Sequence, residues 1–256
     1  MGVIGKQGIA KPGMGDGEKK MTDETCRIKT GLKKLNPGNW NPQAYARLNR
    51  LIQANRTDAG TGATNRPYAV FDWDNTCIFM DSQEALFVYQ IDNWLYRFRP
   101  QEFGEIIKKT VPSSPFAARY NNLAGEAVDM AKLGFDLTAD YTFIYETYAQ
   151  HGVRQKISEI RQCEEFKDFK AKLCYAYHAI TGTFGLEAGY VWMLYVLAGM
   201  TTAELVLMTE MAMDENLNRP LAVDVLESSH LIPGKAGVVS VRASCGIRII
   251  PEMMEL

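Results

Sequence analysis

Apolar residues recur along most of this chain at the three- and four-residue spacing of helices that bury one face. Asn41-Pro42 offers an N-cap followed by proline at the first helical position, and Tyr45, Leu48, Leu51 and Ile52 then share one face of a helix ending near Asn55. A loop from Asp58 to Pro67 follows, with Gly60 and Gly62. It lacks the Gly-Lys-Ser/Thr of a phosphate-binding loop and precedes a strand, so it reads as a connector. The exception to the helical pattern comes next. Tyr68 to Phe71 is a run of aromatic and β-branched character that stops abruptly at Asp72 and Asp74, and it reads as a short strand delivering two carboxylates at its end. Cys77 to Met80 is a second short apolar run.

From Ser82 the pattern is helical through Phe87, Ile91, Trp94 and Leu95, and it remains so over Gln101–Lys109, Asn121–Leu133, Thr138–Gly152, Glu164–Thr181, Gly189–Leu197 and Thr202–Asn216. Thr201 or Thr202 caps the last of these, with Glu204 in its first turn. Between Pro220 and Ala243 the residues become β-like, with Val238, Val239 and Val241 alternating loosely. Gly246 to Pro251 reads as a link into a new helix. Leu205 to Thr209 is apolar and ends in threonine, but the cap before it and the helical pattern after it exclude a strand.

Composition adds limits. The chain has 256 residues, 46% of them hydrophobic and 23% charged, enough for one large domain or two modest ones. A formal net charge of -2 gives no electrostatic reason to expect nucleic acid or an anionic membrane as partner. No apolar run approaches a membrane span. Residues 1 to about 30 are rich in glycine and lysine and poor in large apolar groups, which predicts a disordered tail. The same segment lacks the continuous apolar core of a secretory signal, which favours a cytoplasmic chain, although an exported chain whose signal had been removed would read alike. Cys26, Cys77, Cys163, Cys174 and Cys245 form no C-x-x-C pair and lack metal-ligand spacing with His151, His178 and His230, so free packing thiols are expected.

In an extended chain, side chains two apart share a face, so Asp72 and Asp74 are expected close together, where like charges need a metal or a shared proton. An apolar strand ending in Asp72-Trp73-Asp74-Asn75-Thr76, with an apolar turn after it, resembles the first motif of the haloacid-dehalogenase superfamily, mostly phosphatases. The helical block after Ser82 resembles the cap that many members insert there. The segments NPQAYARLNRLIQAN, FKDFKAKL and LAGMTTAEL look most like the branch acting on phosphorylcholine and phosphoserine.

The resemblance implies an α/β fold, a Rossmann-like parallel-sheet core bearing a large helical cap, divided as tail (1–30), first part of the core (31–84), cap (85–243) and return to the core (244–256). It implies Asp72 as nucleophile forming an aspartyl-phosphate, Asp74 as general acid and base, and Mg²⁺ held by Asp72 and Asp74. Thr76 would orient the loop. Aromatic residues of the cap, Tyr190 and Trp192 foremost, would contact a small phosphorylated substrate, aided by Glu187 or Asp92 if adjacent. The later motifs of that family, a Ser or Thr, a Lys and an acidic pair, are not found after Gly246-Ile247-Arg248-Ile249-Ile250-Pro251. The chain is therefore expected to be incomplete or inactive alone, with an open sheet edge that partner chains would cover. The rival expectation is a non-catalytic helical binding module that retains only the nucleophile strand.

Overall fold

The computed structural model describes residues 34–55, 68–148, 153–229 and 234–256. The amino-terminal tail, the glycine loop before Tyr68, His151 and His230 lie outside them. The first helix, α1 (Pro42–Asn55), starts where the cap predicts: Asn41 Oδ1 accepts from the amides of Gln43 (2.9 Å) and Ala44 (3.4 Å). Then α2 (Ser82–Asp92) is capped by Asp81, whose Oδ1 accepts from Gln83 N and Glu84 N, and its path ends as Trp94 turns to φ +50°.

The helices α3 (Pro100–Ile106), α4 (Met130–Thr147), α5 (Val153–Ile160), α6 (Glu164–Phe184), α7 (Leu186–Val196) and α8 (Thr202–Asn218) follow. Two helices expected separately, ending at Leu133 and starting at Thr138, are one continuous α4, and residues 121–129 are a connection instead of a helix. The longest helix, α6, is the centre. Phe166, Phe169, Leu173, Ala176 and Ile180 fall on one stripe and are all 3% exposed or less, and α4 and α7 pack against it. The core they form includes Phe87, Trp94, Phe103, Leu137, Tyr141 and Trp192, with Phe103 and Tyr141 stacked at 4.1 Å between ring centroids. A smaller cluster joins α2 to α8 through Tyr89, Met208 and Ala212.

The strands overturn the expected α/β core. Among the described residues they are β1 (Ile78–Phe79), β2 (Ala222–Glu227), β3 (Ser240–Cys245) and β4 (Arg248–Ile249), arranged as two antiparallel pairs and no parallel sheet. In one pair Ile78 lies opposite Ile249, and in the other Ala222 lies opposite Cys245 and Glu227 opposite Ser240. The fold is mostly helical. Tyr68 to Phe71 is not a strand, and Tyr68 and Val70 are 89% and 85% exposed. Aromatic and β-branched residues suit a half-buried pleated surface, and strand character appears only where a neighbouring chain completes the ladder and covers the face. Here the apolar run has no such neighbour among the described residues, whereas the apolar stripes of α2, α4, α6 and α7 pack on one another.

A short helix, α9 (Pro251–Met254), ends the chain. The return to it is fixed by Gly246, at φ +81°, where a Cβ would sit 2.6 Å from the Pro220 carbonyl oxygen. The side chain of Asn216 at the end of α8 accepts from Gly246 N (3.3 Å), and its carbonyl accepts from Ile247 N (2.9 Å). Of the five cysteines, Cys77, Cys163, Cys174 and Cys245 are free thiols, and Cys26 lies outside the described residues.

Candidate active site

The segment carrying Asp72 and Asp74 is a compact turn. The carbonyl of Trp73 accepts from the amides of Thr76 (3.3 Å), Cys77 (2.9 Å) and Ile78 (3.1 Å), and Asn75, at φ +54°, donates to the Met80 carbonyl at 3.2 Å. Asparagine tolerates this left-handed conformation better than most residues. Two sites of positive φ, Asn75 and Met80 at +83°, bring the chain round into β1 and on to α2. The Ile250 amide, which donates to Cys77 O at 2.9 Å, ties the turn to the carboxyl-terminal segment.

The two carboxylates hold different partners. Asp72 Oδ1 accepts from Trp73 N (3.0 Å) and its Oδ2 from the Thr76 hydroxyl (3.2 Å), so Thr76 orients the Asp72 side chain. Asp74 Oδ1 accepts from Ser82 N (2.8 Å) and its Oδ2 from Ser82 Oγ (3.0 Å). Asp74 is thus docked on the first turn of α2 through both of its oxygens. Asp72 is exposed and Asp74 half-buried.

Beside Asp74 lies a cluster of two acids and two tyrosines, and of these the sequence pointed to Tyr190 but not to the acids. Asp81 caps α2 with Oδ1 and accepts from the Tyr190 hydroxyl with Oδ2 at 2.9 Å. Glu84, in the first turn of the same helix, accepts from the Tyr177 hydroxyl at 2.7 Å. Burial, followed by the hydrogen bond and charge of Asp81 and the charges of Glu84 and Asp74, pushes the Tyr190 phenol up to about 12. Burial and the hydrogen bond to Glu84 raise Tyr177 further. Both phenols are therefore donors at neutral pH. His178, with its ring 5.4 Å from that of Tyr177, is held below its ordinary value by burial, opposed by the charge of Glu84.

The residues expected to contact substrate separate in space. Tyr190 joins the acidic cluster. Trp192 is fully buried: its indole N–H donates to Ile107 O at 2.7 Å and its ring meets Phe87 at 6.0 Å, so it belongs to the core. Asp92 pairs with Lys170 at 2.5 Å, and Glu187 is an exposed residue of α7, so the acids near Tyr190 are Asp81 and Glu84 instead. A signal for them existed: Asp81 followed three residues later by Glu84 is a helix-start pattern.

Among the described residues, no group of three or more His, Cys, Asp or Glu side chains converges as a metal cage. Magnesium needs less than that, since it commonly keeps several waters and takes one or two carboxylates together with substrate phosphoryl oxygens. The hard oxygens of Asp72 and of the Asp74 main chain suit that partial set.

No family model matches the chain, and no curated protein matches it. Among solved structures, it is similar to a conserved functionally unknown protein from Anaerococcus prevotii DSM 20548, with 29% identity and a TM-score of 0.76 over 86% of this chain. The match spans 57% of the length of that protein.

Proposed function

We propose that the Asp72–Asp74 turn belongs to a phosphomonoester hydrolase working through an aspartyl-phosphate on a small phosphorylated metabolite that also carries an ammonium group, as phosphorylcholine and phosphoserine do. The observation that carries this reading is the placement of two carboxylates in one turn, one oriented by Thr76 and the other docked on Ser82 at the start of α2, beside the acidic cluster of Asp81, Glu84 and Tyr190. A bound Mg²⁺ at Asp72 and the Asp74 carbonyl would neutralise charge on the phosphoryl oxygens.

The Asp72 carboxylate oxygen attacks phosphorus, and the bond from phosphorus to the ester oxygen breaks as Asp74 gives its proton to the leaving alcohol. Asp74 then takes a proton from water. The resulting hydroxide attacks the phosphoryl group, the bond to Asp72 breaks, and inorganic phosphate leaves with the Asp72 carboxylate restored. Asp81 and Glu84 would attract the substrate's ammonium, with the Tyr190 ring as an adjoining apolar wall.

Phosphate release from phosphorylcholine, phosphoserine and p-nitrophenyl phosphate in the presence of Mg²⁺ tests this. Expected is slow turnover by the wild-type chain, in which the Ser or Thr, Lys and acidic pair of the later motifs are not found, and loss of that turnover in Asp72→Asn. Absence of turnover, or turnover that survives Asp72→Asn, refutes the reading. One observation favours the rival reading, a non-catalytic helical module: Val206, Leu207 and Met211 on α8 are 50% exposed or more. That reading predicts no turnover of any phosphoester.

A further inference from the structure

Where α4 meets α6, four charged side chains are buried together. Asp136 and Asp140 stand one turn apart on α4, Asp168 and Lys172 one turn apart on α6, and all four are 2% exposed or less. Lys172 Nζ lies 2.8 Å from Asp136 Oδ2 and 2.9 Å from Asp168 Oδ2. The other acceptor positions of these two carboxylates serve the backbone between β2 and β3: Asp168 Oδ1 accepts from Ser229 N (2.5 Å), and Asp136 accepts from Lys235 N (2.9 Å) and Ala236 N (3.1 Å). Neither oxygen of Asp140 receives a hydrogen bond from an N–H or hydroxyl donor.

The charges do not balance if every group is ionised. Three carboxylates against one ammonium leave two negative charges uncompensated in a space closed to water, a costly arrangement. Protonating Asp140 removes one of them and supplies a hydroxyl that donates to Asp168. The groups facing Asp140 are Asp168 and Lys172 from α6 and Asp136 from its own helix. Lys235 turns its ammonium away, over the Phe135 ring at 4.8 Å. From α3, which also packs on α4, Glu102 acts on Tyr141, while Glu105 of α3 and Lys108 of the turn after it line the cleft between α3 and α4.

We propose that this cluster is a proton-dependent latch, in which the proton between Asp140 and Asp168 leaves Asp136 and Asp168 free to hold the amides of Ser229, Lys235 and Ala236 onto α4 and α6. Loss of that proton places an ionised Asp140 against Asp168. Lys172 is then shared among three carboxylates, water enters, and the backbone amides are released. The latch is independent of the proposed phosphatase chemistry, although α6 carries half of the latch and, five residues beyond Lys172, Tyr177 of the acidic cluster.

Hydrogen exchange read by mass spectrometry on the whole chain at pH 7 and pH 10, corrected for intrinsic exchange, tests it. Expected in the wild type is a fall in protection of at least tenfold at pH 10 in peptides covering Ser228–Ser229 and Gly234–Val239. Peptides from α7 are expected to keep theirs. In Asp140→Asn, whose amide supplies the donor to Asp168 at every pH, protection is expected to be equal at both. Unchanged protection in the wild type, a fall in Asp140→Asn as large as in the wild type, or equal loss in α7 overturns the proposal.

Discussion

Asp81 serves two masters with its two oxygens, capping α2 through Oδ1 and receiving the Tyr190 hydroxyl through Oδ2. Removing that hydroxyl leaves the cap intact and frees one oxygen of Asp81, so Tyr190→Phe is a mild change for the fold. Its expected effect is a change in KM for phosphorylcholine, severalfold in either direction, with KM for p-nitrophenyl phosphate nearly constant; equal changes for both substrates would remove Tyr190 from substrate selection. Trp192 shows the opposite balance. Because its ring is fully buried against Phe87 and its N–H is paired with Ile107 O, Trp192→Ala is expected to cost about 3–5 kcal/mol in denaturant unfolding. A substitution tolerated within about 1 kcal/mol would show that this packing is looser than the contacts imply. Aromatic residues two apart in α7 are alike in sequence, and only the packing of neighbouring helices decides which one meets Asp81.

At the scale of elements, helix starts were legible because their cause is local. Asn41-Pro42 before α1 and Thr201 with Glu204 at α8 are readable within a few residues, and both helices begin where these signals place them. At α8 the reciprocal pair is complete, with Glu204 N donating to Thr201 Oγ1 at 3.3 Å and Thr201 N to Glu204 Oε2 at 2.8 Å. Thr201→Ala is therefore expected to cost about 1 kcal/mol in chemical denaturation, and a change below about 0.3 kcal/mol would mean that packing on α2 alone sets the start of α8. The expected helix over 121–133 failed for an equally local reason: Asn122 accepts from the amides of Ala124 (3.0 Å) and Glu126 (2.8 Å) and so holds a turn, and the helix waits for the Asp129 cap. Tyr68 to Phe71 could not be settled locally, since a strand is a property of two chains and the sequence displays one of them.

At the scale of the whole molecule, the buried α4–α6 cluster sets a pH dependence invisible in the linear sequence, where Asp136, Asp140, Asp168 and Lys172 look like ordinary surface charges at helical spacing. Burial, then the hydrogen bond to Asp168, pushes the Asp140 carboxyl from 3.8 up to about 9. Burial pulls the Lys172 ammonium down, but the hydrogen bonds to Asp136 and Asp168 prevail and raise it. Since the folded chain retains a proton on Asp140 that the unfolded chain has lost, folding binds protons and stability falls as pH rises from the unfolded carboxyl range to about 9. One such group contributes at most about 1.4 kcal/mol per pH unit. Asp140→Asn is expected to gain on the wild type steadily between pH 5 and pH 9, read as the difference in unfolding midpoint in urea, and a constant difference would show that Asp140 is ionised throughout.

Trp73 stands between the two aspartates and is 42% exposed, whereas Trp94 and Trp192 are 4% and 0% exposed. Its indole is thus a built-in optical probe of the turn. An aqueous quencher such as iodide or acrylamide reaches Trp73 while the two core indoles stay dark to it, so once the half-buried Trp40 is replaced by phenylalanine the quenchable share of the emission reports on the surroundings of Asp72 and Asp74 without any label.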